Sequence, residues 1–257
     1  MSRPSHETEP RHGSGRNRFA VVIPVYNHHA TVAKVVRNAR RCGFPVVVVD
    51  DGSSDATYDN IQSIRDIHVV RHPRNLGKGA ALVTGMAAAL KFADWAVCLD
   101  ADGQHDPGEM HNLIRAVAKG RRPIVIGKRK GMEAAPWTSR FGRKFSNFWV
   151  WVSSGILLAD SQSGYRIYPL PEILNLEIAA QRYQYEIEVL AKAAWQGIPI
   201  IEVPVGVSYR PDGPRISHFH PWRDFVRNSK TFSRLIVKRV FSPRLWRPGR
   251  STGRSNG

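Results

Sequence analysis

The chain has 257 residues, 42 % of them apolar, enough for one large α/β domain with its own core. Its two cysteines, Cys42 and Cys98, lie in or beside apolar runs, and the polar start lacks a signal segment, which predicts reduced thiols and a cytoplasmic rather than secreted protein. A formal net charge of +17 fits nucleic acid, an anionic lipid surface or a solvated basic surface, and charge alone does not choose between them.

The first half of the chain alternates short apolar runs with helical patterns. Residues 1–17 are polar and basic, which predicts a disordered lead. Five apolar runs predict strands at 19–25, 46–50, 67–70, 95–100 and 123–127, and helical patterns lie between them at about 30–41, 56–64, 77–92 and 107–119. Such alternation predicts a mainly parallel sheet with helices on both faces, and ligands bound beyond the carboxyl ends of its strands.

The pattern changes after residue 137. A long amphipathic helix is predicted over 138–158, followed by a strand at 165–168, a helix at 185–196 and an extended segment at 200–209. A basic amphipathic helix is predicted over 221–241. We therefore divide the chain into a disordered basic lead (1–17), one large α/β domain (18–215), a basic helix (216–241) and a disordered basic tail (242–257).

Two acidic motifs follow predicted strands. In Asp100-Ala-Asp-Gly-Gln104, two carboxylates at a strand end repel each other, and a hard divalent ion bridging to a diphosphate relieves that repulsion, with Gln104 as a further oxygen ligand. The competing interpretation is an ordinary surface turn rich in Asp and Gly. Asp50 and Asp51 end the second strand, where a carboxylate can accept hydrogen bonds from a base or ribose. Lys78, near a predicted helix start, suits a phosphate or a carboxylate.

Four motifs in this order resemble the family-2 glycosyltransferases with the GT-A fold, a Rossmann-like nucleotide-binding architecture: Pro24-Val-Tyr-Asn27, Asp50-Asp-Gly-Ser53, Asn75-Leu-Gly-Lys-Gly79 and Asp100-Ala-Asp-Gly-Gln104. Downstream, Gly127-Lys-Arg129, Asp160-Ser-Gln-Ser-Gly-Tyr-Arg166 and Glu188-Val-Leu190 are similar to the branch of dolichyl- and polyprenyl-phosphate mannose or glucose synthases. The resemblance covers about residues 19–215.

The resemblance implies roles for individual residues. Donor contacts are assigned to Pro24, Tyr26, Asn27, Val49, Asp51, Lys78, Asp100, Ala101, Asp102, Arg129 and Arg210, and Mg²⁺ or Mn²⁺ is assigned to Asp100, Asp102 and Gln104. Independently of the resemblance, the basic start of the predicted helix at 138–158 favours contacts of Arg140 and Arg143 with an acceptor phosphate, and Ser163 is assigned to the acceptor as well. The sequence departs from the family where His28 replaces the usual Glu after Tyr-Asn, which points to a different sugar nucleotide. Residues 217–224 also lack the usual Lys-containing acceptor loop and look more like bacterial lipid-pathway members.

The expected reaction is a single displacement at the anomeric carbon with inversion. An anionic phosphate acceptor needs no general base, whereas a hydroxyl acceptor needs a carboxylate within hydrogen-bond reach. Asp160 is the best candidate for that base, Asp106 and Glu188 are weaker ones, and Asp160 acting only to cap or orient Arg166 is an equal alternative. Arg129 is expected to stabilise the departing diphosphate.

The expected partners are a nucleotide-sugar, a lipid-linked acceptor (a polyprenyl phosphate or a lipid hydroxyl) and an anionic membrane surface on the inner face of the plasma membrane, with no nucleic acid. The apolar stretch at 148–159 is too short to span a bilayer, which needs about 20 residues. Basic residues followed by aromatics predict that 138–158 lies on the membrane, although a buried helix has the same composition. A nucleic-acid-binding protein and a sugar-phosphate nucleotidyltransferase stay as alternatives.

Overall fold

A computed structural model of the chain describes residues 18–117, 121–131, 137–208 and 221–241, without the side chains of 137–141, 221–228 and 230. The described strands are β1 (Phe19–Val25), β2 (Val46–Asp50), β3 (His68–Arg71), β4 (Trp95–Cys98), β5 (Ile124–Arg129), β6 (Arg166–Pro169) and β7 (Ile200–Val205). The helices are α1 (Val32–Arg41), α2 (Thr57–Gln62), α3 (Lys78–Ala89), α4 (Met110–Arg115), α5 (Trp137–Ser154), α6 (Leu170–Leu174), α7 (Tyr185–Trp195) and α8 (Pro221–Val240).

The seven described strands form one sheet in the order β3-β2-β1-β4-β6-β5-β7. All neighbouring pairs are parallel except those of β6, which runs antiparallel between β4 and β5. The prediction of a mainly parallel α/β sheet is confirmed. The position of β6 was not predicted, because a four-residue strand gives no sequence signal for the pair of strands that it joins.

Two apolar clusters cover the two faces of the sheet. Val47 and Val49 point into one cluster with α3, α6 and α7, while Val46 and Val48 point into the other with α1 and α4. Since both faces of β2 are buried, the strand is a continuous apolar run without polar alternation. The sheet is thus a rigid platform for the loops at its edge.

Several element ends differ from the predictions. α5 stops at Ser154, four residues early, because Gly155 follows with φ +81°, a left-handed conformation that ends a helix. The predicted helix at 107–119 is a 3₁₀ turn at Pro107–Glu109 followed by the shorter α4. The short α6 was not predicted. The domain limit at 215, the lead and the tail lie outside the described residues.

The direction of the strand order reverses between β1 and β4. The chain runs outward from β1 through β2 to β3, then returns to β4 on the other side of β1. In open α/β sheets the crevice beyond the carboxyl ends of such a reversal is the ordinary ligand site. The segments that leave β1 and β4 there carry Tyr26 and Asp100.

Candidate active site

Asp100 and Asp102 follow β4 at the reversal of strand order. Burial and the negative charge of Asp100 raise the pKa of Asp102 from its ordinary 3.8 to about 6. Burial alone would raise the pKa of Asp100 as well, but Lys78 outweighs burial and holds it below its usual range. The pair therefore concentrates negative charge that a divalent cation would neutralise.

The donor set at this position fits a cation shared with a ligand. Among the described residues no group of three or more His, Cys, Asp or Glu side chains is arranged to hold a metal, so Asp100 and Asp102 supply only part of a coordination shell. Gln104 lies next to them, and its backbone N–H donates to Asp102 Oδ1 over 2.9 Å. Mg²⁺ characteristically combines one or two carboxylates with substrate phosphates and water, so the residues present fit such an ion.

Asp100 is tightly packed on its second side by the loop before β6. A Cβ added to Gly164 would lie 2.1 Å from Asp100 Oδ2, so any larger residue there would displace the carboxylate. The fully buried Arg166 holds the same loop in place. Its guanidinium donates to the carbonyls of Ser161 and Ser163, each over 2.7 Å. The loop therefore fixes the orientation of the Asp100 carboxylate.

Lys78, at the first residue of α3, connects Asp100 to α7. Its Nζ lies 2.7 Å from Asp100 Oδ1 and 3.1 Å from Glu186 Oε1. Burial alone would lower the pKa of Lys78, but the two carboxylates raise it well above its ordinary value. Lys78 is therefore a cation in the site, as the phosphate role predicted for it requires.

Arg129, the last residue of β5, forms a two-pronged ion pair with Asp160. Its Nε and Nη2 lie 2.7 and 2.8 Å from the two carboxylate oxygens, and Asp160 is fully buried. Burial opposes ionisation, but the hydrogen bonds and charge of Arg129 outweigh it and lower the pKa of Asp160. Glu202 accepts from the backbone N–H of Asp160 over 2.8 Å and so fixes its main chain. The Asp160 carboxylate thus orients Arg129 rather than Arg166.

Asp51 organises the loop before α3. Its Oδ1 accepts from the backbone N–H of Leu76 and lies 2.7 Å from His72 Nδ1, and its Oδ2 accepts from Gly77 N–H. These hydrogen bonds show that Asp51, the second carboxylate of the Asp50–Asp51 pair, has a structural role. A direct contact between Asp51 and a nucleoside stays a prediction. A cleft of about 370 Å³ opens beside it and is lined by Gly52, Ser53, Arg71, His72 and Pro73.

The remaining assigned residues lie at the same edge or outside the described part. Half-buried Asn27, with φ +52°, donates from its backbone to Ser53 Oγ over 2.9 Å and so fixes the loop after β1. Pro24 and Val49 face each other in the pairing of β1 with β2; Tyr26 follows β1 and Ala101 follows β4. Their donor contacts, like the acceptor contact of the fully buried Ser163, stay predictions.

Of the three assigned arginines other than Arg129, one can be placed. The charge of Arg143 contributes to the lowered pKa of Asp160, after burial and the contacts of Arg129, so it lies near that carboxylate. The side chain of Arg140, in α5, and all of Arg210 lie outside the described residues.

Three residues that matter to the site were not singled out from the sequence. Glu186 and Gly164 touch Lys78 and Asp100, and His72 joins Asp51 to Thr84 Oγ1 over 3.0 Å. A lysine predicted near a buried site requires an acidic partner, and this requirement was the one sequence signal that could have led to Glu186. Glu188 was a weak candidate for the base. Its carboxylate instead accepts hydrogen bonds from the backbone N–H groups of Ala179 and Ala180. It also forms ion pairs with Lys192 and Arg234.

Asp102→Asn is expected to stabilise the metal-free protein above neutral pH. Because the folded state raises the pKa of Asp102 from 3.8 to about 6, wild-type stability declines as pH rises through that interval and stays reduced above it. The neutral amide avoids this cost, worth about 1–2 kcal/mol after allowance for partial exposure. Denaturant unfolding in EDTA measures it. Equal stability of the two proteins above neutral pH would contradict the charge clash, and below the ordinary pKa the advantage should vanish.

Comparisons with known proteins identify the family of this chain. The family model described as glycosyl transferase family 2 matches residues 20–168. The chain is 29 % identical over 213 residues to the UDP-N-acetylglucosamine–dolichyl-phosphate N-acetylglucosaminyltransferase of Methanococcus voltae, covering 74 % of this chain and 85 % of that protein. It is 28 % identical over 209 residues to the polyprenol monophosphomannose synthase of Mycolicibacterium smegmatis, covering 75 % and 78 %.

A solved structure with the same fold is glucosyl-3-phosphoglycerate synthase from Mycobacterium tuberculosis, crystallised with Mn²⁺, UDP-glucose and phosphoglyceric acid. The TM-score is 0.63 at 20 % identity, and the match covers 90 % of this chain and 81 % of that one. The family match spans the strands β1 to β6 and every acidic group described above from Asp50 to Asp160. The chain therefore belongs to glycosyl transferase family 2 and is a glycosyltransferase.

Proposed function

We propose that this glycosyltransferase moves a sugar from a nucleotide-sugar to a lipid-linked phosphate, with inversion and with Mg²⁺ or Mn²⁺. The observation that carries the proposal is the Asp100–Asp102 pair at the reversal of strand order, with Lys78 2.7 Å from Asp100 and the Arg129–Asp160 pair nearby. The relatives named for dolichyl and polyprenol phosphate chemistry support the acceptor class.

Each group has a distinct task in this reaction. A bound divalent cation would supply Lewis-acid neutralisation of the leaving diphosphate, held by Asp100 and Asp102 with Gln104 beside them. Lys78 and Arg129 place two fixed positive charges where the leaving group gains negative charge. The Asp51-centred loop positions the start of α3, and the neighbouring cleft of about 370 Å³ accommodates the base.

The state of Asp160 favours a phosphate over a hydroxyl acceptor. A general base works best with a pKa near the working pH, and the pair with Arg129 holds the pKa of Asp160 below its ordinary value. Both of its oxygens already accept from Arg129. A phosphate oxygen is anionic and attacks without a base, so the acceptor we propose is the one that needs nothing from Asp160.

A lipid acceptor requires a membrane contact, which we propose for the adjoining ends of α5 and α8. Arg239 of α8 donates to the carbonyls of Trp151 and Val152, bringing the two ends together. Leu157 is 81 % and Phe241 80 % exposed there, an unusual exposure for large apolar side chains. With Lys238 and Arg239 alongside, this surface suits the inner face of the plasma membrane. No described helix is long and apolar enough to span a bilayer.

The donor site can be tested by thermal unfolding with UDP, GDP and CDP, each with Mn²⁺ or EDTA. A ligand at about a hundred times its Kd adds roughly 2.7 kcal/mol of stability. We expect a metal-dependent shift with one base, lost in Asp102→Asn and retained in the matched control Asp59→Asn, an exposed carboxylate on α2. No shift with any nucleotide, together with salt-sensitive binding to random DNA, would overturn the proposal in favour of nucleic-acid binding.

The membrane contact can be tested by sedimentation with vesicles of phosphatidylglycerol and phosphatidylcholine. The double variant Leu157→Glu, Phe241→Glu should bind at least about tenfold more weakly. Each substitution removes the free energy gained by burying an apolar side chain in the membrane, about 1.5–3 kcal/mol. The matched control is Leu90→Glu, which changes an exposed apolar residue directly after α3 and should bind like wild type. Equal binding of all three proteins, or equal binding to vesicles of phosphatidylcholine alone, would remove this surface from the proposal.

A further inference from the structure

Lys78 forms an ion pair with Asp100 Oδ1, an oxygen that could also bind a metal ion. Its Nζ lies 2.7 Å from Asp100 Oδ1, while Asp100 Oδ2 is packed against Gly164. One oxygen of this carboxylate is therefore held by the lysine and the other is packed against the loop, while 27 % of the side chain stays exposed. A cation that binds Asp100 Oδ1 competes with the Lys78 ammonium, because two positive charges at one oxygen repel each other.

Glu186 gives Lys78 a second partner from a different element. It stands in the first turn of α7, its side chain is 10 % exposed, and its Oε1 lies 3.1 Å from Nζ. α7 is held there by the fully buried Arg166, which donates to the Glu186 carbonyl over 3.1 Å. The segment before α7 is also pinned to α3, since Ala80 N–H donates to the Gln181 carbonyl over 2.9 Å. Glu186 is thus a fixed anchor.

Glu186 is not itself arranged as a metal ligand. Within the described residues it forms no three-member group with Asp100 and Asp102 that could hold an ion. Its side chain faces Lys78 instead. Any influence of Glu186 on a metal at Asp100 therefore passes through the lysine or through its charge at a distance, and these two routes can be separated experimentally.

We infer that Glu186 is a positioning residue that retains Lys78 when a divalent cation replaces the lysine at Asp100. In the metal-free protein Lys78 occupies the cation position. With a divalent cation at Asp100, the ammonium would stay on Glu186, 3.1 Å away, where it remains available to a diphosphate. The inference rests on the proposed function and adds to it a residue and an exchange of cations.

The test uses Mn²⁺ alone, measured by the loss of the free-ion electron paramagnetic resonance signal on the full chain without nucleotide. Lys78→Met should bind Mn²⁺ more tightly than wild type, because the competing ammonium is gone. Glu186→Gln should bind it about tenfold more weakly, because Asp100 is then the one carboxylate partner that Lys78 keeps among the described residues. In the double variant the Glu186→Gln effect should shrink to less than about twofold.

Two results would overturn the inference. Equal weakening by Glu186→Gln in both backgrounds would mean that Glu186 acts by its charge alone, and unchanged affinity in Lys78→Met would mean that the lysine does not compete. Thermal unfolding of all four proteins checks that each is folded. Failure of the proposed function has a different signature, since then no variant would bind Mn²⁺ with or without a nucleoside diphosphate.

Discussion

Gly164→Ala is expected to lower the turnover number by about a hundredfold or more while leaving the protein folded. The new Cβ would lie 2.1 Å from Asp100 Oδ2 and 2.9 Å from Oδ1, distances that van der Waals repulsion does not permit. Asp100 must therefore turn away, and a displacement of about 1 Å at a catalytic group can cost about 10² in rate. Mn²⁺ binding should weaken in parallel, and both quantities can be measured on the same preparation.

The matched control is Gly142→Ala. This glycine stands in α5, and an added Cβ there meets no atom of another described segment within 4 Å. Alanine favours a helix by about 1 kcal/mol over glycine, so the control should be equal to or more stable than wild type and fully active. Normal turnover in Gly164→Ala would show that the loop before β6 moves to accommodate the methyl group, and that this loop does not fix the orientation of Asp100.

Arg129→Met and Asp160→Asn are expected to lower turnover by similar large factors, about 10² to 10³, and their combination should cost little more. The two side chains form one two-pronged unit at 2.7 and 2.8 Å, and removing either member leaves Arg129 missing or misdirected. Arg129→Met also leaves a fully buried carboxylate without its charge partner, at about 3–5 kcal/mol of stability. Additive losses would contradict a shared role.

The pH dependence of turnover distinguishes orientation from base catalysis by Asp160. Because Arg129 lowers the pKa of Asp160, its stabilising contribution is complete above the ordinary carboxyl pKa and declines only as pH falls through the lowered value. If Asp160 only orients Arg129, its titration causes no fall in turnover near neutral pH. Asp160→Asn should then show the same pH dependence of turnover as wild type, at a lower rate throughout. Loss of a near-neutral limb in that variant would instead identify Asp160 as a base and favour a hydroxyl acceptor.

Short-range patterns in the sequence predict the parallel strands of the sheet and the residues at their carboxyl ends. Val46 to Val49 are β-branched and buried on both faces, so a strand was the one element that their pattern favoured, and the observed β2 agrees. The carboxyl-end rule then placed Tyr26, Asp50 and Asp100 together before any contact was known. The family motifs added the transferase assignment, which the match over residues 20–168 confirms.

The partners of these residues were beyond the reach of the sequence. Asp160 is 31 residues from Arg129, and Glu186 is more than a hundred residues from Lys78, so no local spacing connects either pair. The sequence determined which side chains stand at the strand ends, because burial and backbone preference act within a few residues. Only the tertiary structure decided which charges meet there. It did so because β6 and α7 bring in distant segments, and in a buried edge every charge must find a partner.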